Sequence, residues 1–186
     1  RYSAAEGVII PHSAYNIGRE KSQYRIISIP YVLSSKGVGQ QLDELADENS
    51  QHSKSNYRLA TYAGNNEWHE VPSSSLNEFN RGAGYWFLTN ITSDIALEGT
   101  STPQEHQGNL FEMTLKPEWN QIGNPYPIAI NWSDVQQYNA DIKIKGLHVY
   151  KNNAAFESGE TLQPFEGGFV FLDETSEKVI SIPFQG

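Results

Sequence analysis

The stretch Gly82-Ala-Gly-Tyr-Trp-Phe-Leu88 has a counterpart in the second half of the chain, Gly167-Gly-Phe-Val-Phe-Leu172. Each is a glycine-led apolar run, and each follows a Leu-x-x-Phe segment that begins at Leu76 in the first half and at Leu162 in the second. Short runs of aromatic and β-branched residues bounded by glycine predict β-strands. Because these two runs contain no polar position, we expect both faces of each strand to be covered.

Other segments match between the halves in the same order. A strand ends in a Pro-Tyr pair in both, at Ile27-Ser-Ile-Pro-Tyr31 and at Ile122-Gly-Asn-Pro-Tyr126. A short helix candidate, a Leu-x-x-Tyr strand, the glycine-led strand and a last short strand follow in each half. The ordered similarity predicts two tandem pseudo-repeats, with residues 24–99 superposing on residues 110–184.

The strand signals predict an all-β fold with one or two short helices. A unit of about four to five strands would leave one face of its sheet bare, so we expect the two pseudo-repeats to share one core and pack as one β-sandwich or barrel-like domain. The first unit spans residues 1–99, a short linker spans 100–109, and the second unit spans 110–186. Residues 180–184 resemble residues 27–31, so they either end the second unit or begin a third.

Two segments have helical patterns. The stretch Gln40-Gln-Leu-Asp-Glu-Leu-Ala-Asp47 places its leucines on one stripe and predicts a helix. Ser133 and Gln136 have the spacing of a capping box, which predicts a short helix with Ser133 as its N-cap. The glycines before the two apolar strands permit a bulge or a close approach of backbones.

The composition restricts the function classes. The chain has 186 residues, with 22 acidic and 13 basic side chains, a formal net charge of -9 and no cysteine. An acidic chain disfavours nucleic acid, the absence of cysteine excludes thiol chemistry, and no apolar run is long enough for membrane insertion. The chain begins at Arg1 with no apolar leader, so we expect a mature or excised part of a longer protein.

No pattern in the sequence predicts catalysis. The five histidines have none of the spacings that place two ligands on one side of a metal ion, and there is no G-x-S-x-G motif. We therefore predict no catalytic residue, no metal site and no cofactor.

The aromatic residues give a functional hint, since 12% of the chain is Phe, Trp or Tyr. Trp68 lies in a polar run typical of a hairpin, and Tyr126 and Trp132 lie at element boundaries rather than inside apolar strands. An aromatic ring on a rim can stack on a sugar or anchor a protein partner. Asn124 and Asn131 could add amide hydrogen bonds beside them. These five residues are the predicted ligand-binding residues.

Two motifs resemble a known module. Glu118-Trp-Asn-Gln-Ile-Gly-Asn-Pro-Tyr126 and Arg81-Gly-Ala-Gly-Tyr-Trp-Phe87 resemble the "G-W-N-x-I-G-N-P" and "G-x-G-Y-W" strands of a recurrent β-rich module in secreted, multidomain Bacteroidota proteins of the type IX secretion route. The chain departs from the pattern at Glu118, where glycine is usual, and at Ser28-Ile29, where the second unit has Gly123-Asn124. The resemblance implies a secreted or cell-surface accessory domain, and it implies no catalytic or ligand-binding residue.

Three function classes follow from these observations. The first is a non-catalytic accessory or adhesion-type module of a larger secreted or cell-surface bacterial protein, in contact with other domains of that protein, a glycan or a surface protein. The second is a carbohydrate-binding module that uses exposed aromatic rings. The third is a fragment of a secreted hydrolase, which would have a cleft with a strongly perturbed carboxylate or histidine.

Overall fold

The computed structural model describes residues 8–49, 51–100, 110–151 and 155–184. The fold is all-β and sandwich-like, with short antiparallel strands in several sheets. The predicted linker falls on residues 100–109, of which 101–109 lie outside the described residues.

The first half contains eight described strands and one short helix. They are β1 (Val8–Ile10), β2 (Arg25–Ile27), β3 (Val32–Leu33), α1 (Val38–Gln41), β4 (Tyr57–Gly64), β5 (Glu67–Glu70), β6 (Tyr85–Thr89), β7 (Ile95–Leu97) and β8 (Gly99–Thr100). Single 3-10 turns lie at His12–Ala14, Lys21–Gln23 and Asp43–Leu45.

The second half has a corresponding series of elements. They are β9 (Leu110–Leu115), β10 (Glu118–Gly123), β11 (Ile130–Asn131), α2 (Trp132–Tyr138), β12 (Leu147–Lys151), β13 (Ala155–Gly159), β14 (Thr161–Leu162), β15 (Gly167–Leu172) and β16 (Lys178–Pro183).

Each half has a four-stranded antiparallel sheet, and the two sheets have the same strand order. The first is β2-β6-β4-β5 and the second is β10-β15-β12-β13, so the last of the four strands in sequence is inserted between the first and the second. Each half also has a two-stranded sheet, β1 with β7 and β9 with β16. Two copies of one unit would show this correspondence of strand order. That the two halves superpose stays a prediction. Because β16 pairs with β9, residues 180–183 belong to the second unit.

The helices differ in detail from the sequence-based expectation. The first predicted helix is only one turn, α1, followed by a 3-10 turn, and it begins before Gln40. In α2 the N-cap is Asn131 and not Ser133. The predicted capping box is wrong because Gln136 donates its side-chain amide to the carbonyl of Ile144, 2.9 Å away, and so does not turn back to the helix start.

The expectation of one shared core is corrected. Each half has its own cluster of buried apolar side chains, one around Leu59 and Phe87 and the other around Val149 and Val170. Within each four-stranded sheet, alternate residues point to opposite faces, so one face covers the core of its own half. The other faces of the two sheets meet each other.

The glycine-led strands are therefore covered on both faces, as their apolar sequence predicts. In β6, Tyr85 and Phe87 are buried in the first core, while Trp86 points to the other face and is half-buried. In β15, Val170 is buried in the second core, and Phe169 points to the layer between the sheets. Trp86 and Phe169 lie 6.5 Å apart between ring centroids, which makes them part of one aromatic layer.

Backbones touch where the two sheets meet. Ala83 and Ile122 form an antiparallel bridge, and the Gly123 N–H donates to the carbonyl of Gly82 at 2.8 Å. A Cβ at Gly84 would lie 2.4 Å from the Ile122 carbonyl oxygen, and a Cβ at Gly123 would lie 2.2 Å from the Ala83 carbonyl oxygen. Glycine is required at both positions because no side chain fits between these backbones.

Hydrogen bonds connect the two halves around this contact. The Ser28 N–H donates to the Phe165 carbonyl at 2.8 Å, and the Tyr62 N–H donates to Oε1 of Gln121 at 2.7 Å. The Arg81 Nε donates to the carbonyl of Pro125 at 2.7 Å. These bonds fix the sheets relative to each other, since each would be lost if the sheets separated.

Glu118 begins β10 with a φ of 72°. This left-handed conformation is costly for a residue with a Cβ and free for glycine. Glu118 is therefore a point of local strain in the backbone at the start of the strand.

Substitution of Gly123 by alanine tests the backbone contact. Gly123→Ala should lower the free energy of unfolding by at least about 2 kcal/mol, because the new methyl group overlaps backbone that has no room to move. Urea unfolding measures the change. Gly39→Ala is the matched control, since nothing lies within 4 Å of its Cβ position, and it should leave stability unchanged or raised. Equal stability of the two variants would contradict the close approach.

Substitution of Glu118 by glycine should relieve the strain at the start of β10. Glu118→Gly is expected to raise the free energy of unfolding by about 0.5–1 kcal/mol, since the left-handed penalty exceeds the extra entropy that glycine gains on unfolding. Glu118→Ala removes the same carboxylate but keeps the Cβ, so it should give no such gain. Thermal unfolding of both variants measures the change in stability. An alanine variant as stable as the glycine variant would contradict the backbone strain at residue 118.

Candidate functional site

A groove opens at one end of the layer between the two sheets. Its cavity volume is about 480 Å³, and it is lined by residues from both halves. Six of these residues carry aromatic rings of Tyr, Trp or Phe and one is a histidine: Tyr62, Trp68, Trp86, Trp119, His148, Phe156 and Phe169. We call this site the aromatic groove.

The first sheet supplies its rings through the β4–β5 hairpin and β6. Asn65 and Asn66 have positive φ values of 51° and 61°, as a tight hairpin turn requires. The hairpin places Tyr62 opposite Trp68, with ring centroids 5.0 Å apart. Trp86 pairs with Ala60 on the neighbouring strand, so its ring points to the same face as those two.

The second sheet supplies corresponding rings. The β12–β13 pair places Tyr150 opposite Phe156, with ring centroids 5.4 Å apart. Tyr62 of the first sheet contacts Phe169 of the second at 5.7 Å, and Tyr150 contacts Trp86 at 4.6 Å. The two tyrosines thus make the same kind of cross-sheet contact, each with the ring at the centre of the opposite sheet.

Three of the groove's large side chains are open to solvent. The exposed fractions are 52% for Trp68, 41% for Trp119 and 49% for Phe156. Trp119 is held by the edge-to-face contacts of its ring with His148, at 5.2 Å, and with Phe171, at 5.3 Å. Burying rings such as these normally stabilises a protein, so their exposure together around one cavity makes it the candidate interaction site.

The groove has few hydrogen-bonding groups. Its lining includes no Asp, Glu, Lys or Arg. The indole Nε1 of Trp86 and the amide Nε2 of Gln121 are buried without a hydrogen-bond partner among the described residues, so the interior is already short of acceptors. An apolar or flat partner fits this surface better than one that needs many polar contacts.

The structure separates the predicted ligand-binding residues. Trp68 lies on a hairpin and is exposed at the groove, as predicted. Tyr126, Trp132 and Asn124 are buried, so the prediction that they form an exposed rim is wrong. Asn131 is exposed at the N-cap of α2 and is not among the residues that line the groove.

Hydrogen bonds explain why the polar ends of these residues are buried. The Tyr126 hydroxyl accepts from the Phe111 N–H at 2.9 Å and donates to the Ile182 carbonyl at 2.8 Å. Asn124 donates to the carbonyls of Ile128 and Leu162. A polar side chain that forms hydrogen bonds with buried backbone groups has a structural role. The position of a residue near a proline or an element boundary in the sequence does not show whether it has this role.

The sequence analysis missed most of the groove. Trp86 and Phe169 are predicted as core residues, and Tyr62, Trp119, His148 and Phe156 are not predicted as site residues. Strand alternation could have indicated part of it, because Ala60 and Tyr62 share a face opposite Leu59. The meeting of rings from both halves depends on how the sheets pack, and no spacing in the sequence encodes that.

The titratable groups with shifted pKa values lie outside the groove lining. The pKa of Glu70 is lowered because Arg58 donates to its carboxylate at 2.6 Å. The pKa of Asp94 is lowered by hydrogen bonds from the backbone and ring of His12. In the part of the chain that the structure describes, no group of three His, Asp or Glu side chains could hold a metal ion. The hydrolase alternative stays an untested prediction.

Comparisons with protein-family models, curated proteins and solved structures give no match for this chain. No helix among the described residues is both long enough and apolar enough to span a bilayer. The function proposed below therefore rests on the geometry of the aromatic groove.

Replacement of Tyr126 by phenylalanine tests its structural role. Tyr126→Phe should lower the free energy of unfolding by about 1–3 kcal/mol, because it leaves the buried Phe111 N–H and Ile182 carbonyl without their partner. Tyr138 is exposed on α2, so Tyr138→Phe is the matched control and should change stability by less than about 0.5 kcal/mol. Chemical unfolding compares the two, and a cost for Tyr126→Phe no larger than for Tyr138→Phe would contradict a structural role.

Proposed function

We propose that this chain is a non-catalytic accessory module of a larger secreted or cell-surface protein, and that it acts by binding a partner in the aromatic groove. One observation carries the proposal: Trp68, Trp119 and Phe156 are exposed around a single cavity lined by both halves of the chain. The secreted or cell-surface setting rests on the resemblance of residues 81–87 and 118–126 to the Bacteroidota module.

The physical basis of binding is the apolar area that the rings offer. Large aromatic side chains carry much of the affinity at protein interfaces, because they bury a large area and lose few rotamers on binding. The groove is also preorganised. Trp68 packs on Tyr62, and Trp119 packs on His148 and Phe171, so little conformational entropy is lost when a partner binds.

A glycan is the second candidate partner, and the two tryptophans favour it. Trp68 and Trp119 present partly exposed indole rings to one cavity, and sugar rings stack their C–H faces on such surfaces. Sugar hydroxyl groups also need hydrogen-bond partners, which the rings of the groove supply poorly. We therefore rank a protein partner, either another domain of the parent protein or a separate surface protein, above a glycan.

The experiment uses the four tryptophan indole N–H signals in a proton–nitrogen correlation spectrum, each assigned by a Trp→Phe variant. Trp68, Trp86 and Trp119 line the groove, whereas Trp132 is buried in the second core and serves as an internal control. Peptides selected by the chain from a random displayed library, and glycans retained on an array, are each titrated into the labelled chain. A partner of the groove should shift the three groove signals and leave the Trp132 signal in place.

Two variants make the result decisive. The double variant Trp68→Ala/Trp119→Ala should lose binding at least about tenfold, as the removal of interface hot spots does. Tyr138→Ala removes an equally exposed ring on α2, outside the groove lining, and should bind like the native chain. Selection of no peptide and no glycan, or equal binding by the double variant, would overturn the groove as the contact surface. Selection of glycans alone would favour the second candidate.

A further inference from the structure

The side chains that line the aromatic groove offer more hydrogen-bond donors than acceptors. Each of the three tryptophans, Trp68, Trp86 and Trp119, has an indole N–H, which can donate a hydrogen bond and cannot accept one. The N–H of Trp86 is buried and has no hydrogen-bond partner among the described residues. The groove therefore lacks an acceptor even for a donor of the chain itself.

Two side chains of the lining can accept hydrogen bonds, Tyr62 and His148. The Tyr62 hydroxyl already accepts one from the backbone N–H of Asn66, 3.2 Å away. A ligand that brings N–H or O–H groups into this groove would leave several of them unpaired, and each buried unpaired donor costs affinity. The groove therefore favours a ligand that is rich in acceptors and poor in donors.

The groove extends across the width of the second sheet. Trp119 lies on β10 at one end of this sheet and Phe156 lies on β13 at the other end, with Phe169 and His148 on the two strands between them. Three strand spacings of about 4.8 Å separate β10 from β13 by about 14 Å. An extended ligand is needed to contact rings at both ends.

We infer that the aromatic groove binds a proline-rich segment of a partner protein in the polyproline II conformation. A proline residue has no N–H but keeps its carbonyl acceptor, and its apolar ring packs against aromatic faces. The polyproline II helix has no internal hydrogen bonds, so its carbonyls can accept from the indole N–H groups of the groove. This inference rests on the proposed function and names the chemistry of the partner at that site.

The shape of such a segment also fits the groove. The polyproline II helix rises about 3.1 Å per residue, so about five residues extend from β10 to β13. The segment is already extended before it binds, and it therefore loses little conformational entropy in the complex. A glycan lacks this match, because each of its hydroxyl groups brings a donor as well as an acceptor.

The test compares three synthetic six-residue probes with the same acetylated N-terminus and the same pair of C-terminal serines for solubility. The proline probe has rings and no backbone N–H, the sarcosine probe has neither, and the alanine probe has N–H groups and no rings. The proline probe should shift the indole signals of Trp68, Trp86 and Trp119 and leave that of Trp132 unchanged. It should bind at least about tenfold more tightly than the alanine probe, with the sarcosine probe between them.

A double variant tests the indole donors separately from the rings. Trp68→Phe/Trp119→Phe keeps an aromatic ring at both positions and removes two N–H groups. It should weaken the proline probe several-fold, measured on the Trp86 signal, because carbonyls of the probe lose their donors. Tyr138→Phe removes a polar group on α2, outside the groove lining, and is the matched control that should bind like the native chain. An unchanged Trp132 signal shows that each variant is folded.

The possible outcomes distinguish this inference from the proposed function. A proline probe that shifts no groove signal, or that binds no more tightly than the alanine or the sarcosine probe, would overturn the proline inference. Full affinity of the double phenylalanine variant would also overturn it. Selected peptides without proline that shift the groove signals would then still support the proposed function, and glycans that do so would favour its second candidate. Loss of all binding, by probes, peptides and glycans alike, would overturn both.

Discussion

The contact of the Ala83–Gly84 backbone with the Ile122–Gly123 backbone is the constraint on which the rest of the structure depends. At this point the two sheets approach so closely that a Cβ at either glycine would overlap a carbonyl oxygen of the other half. Because this contact fixes the distance between the two sheets, it also sets how closely the side chains further along their facing surfaces approach each other. The aromatic layer and the groove at its end follow from that one close approach.

The facing surfaces also explain why the two halves associate. Trp86 and Phe169 lie at the centres of the two sheets and point away from the cores of their own halves. Each would be exposed if the halves separated, and burial of a large aromatic side chain is worth about 2–3 kcal/mol. The rings that are buried in the layer stabilise the association of the halves, while those at its edge stay available to a partner.

The rings of the aromatic layer therefore differ in role according to their position. Tyr62 and Tyr150 reach across to the opposite sheet and hold the layer together. Trp68, Trp119 and Phe156 lie at the open end, where no further strand of the described chain covers them. A folded chain keeps exposed aromatic rings together at a cost in solubility, and this cluster therefore supports the proposal that the chain contacts another molecule.

The sequence by itself determined the local structure and the order of the elements. The two glycine-led apolar runs identified β6 and β15 to within a few residues, because strand formation depends on short-range patterns of side chains. The sequence also indicated the close approach at the glycines and the exposure of Trp68. Periodicity fails for very short elements, which is why α1 is shorter than predicted and α2 begins two residues earlier than predicted.

Only the tertiary structure decided which aromatic residues form the site. Tyr126, Trp132 and Asn124 lie at boundaries that look exposed in the sequence, yet Tyr126 and Asn124 satisfy buried backbone groups and Trp132 fills the second core. Trp86 and Phe169 look like ordinary core residues, yet they line a groove between two sheets. A strand pattern specifies two faces but not what covers each face, because that depends on contacts between residues far apart in the chain.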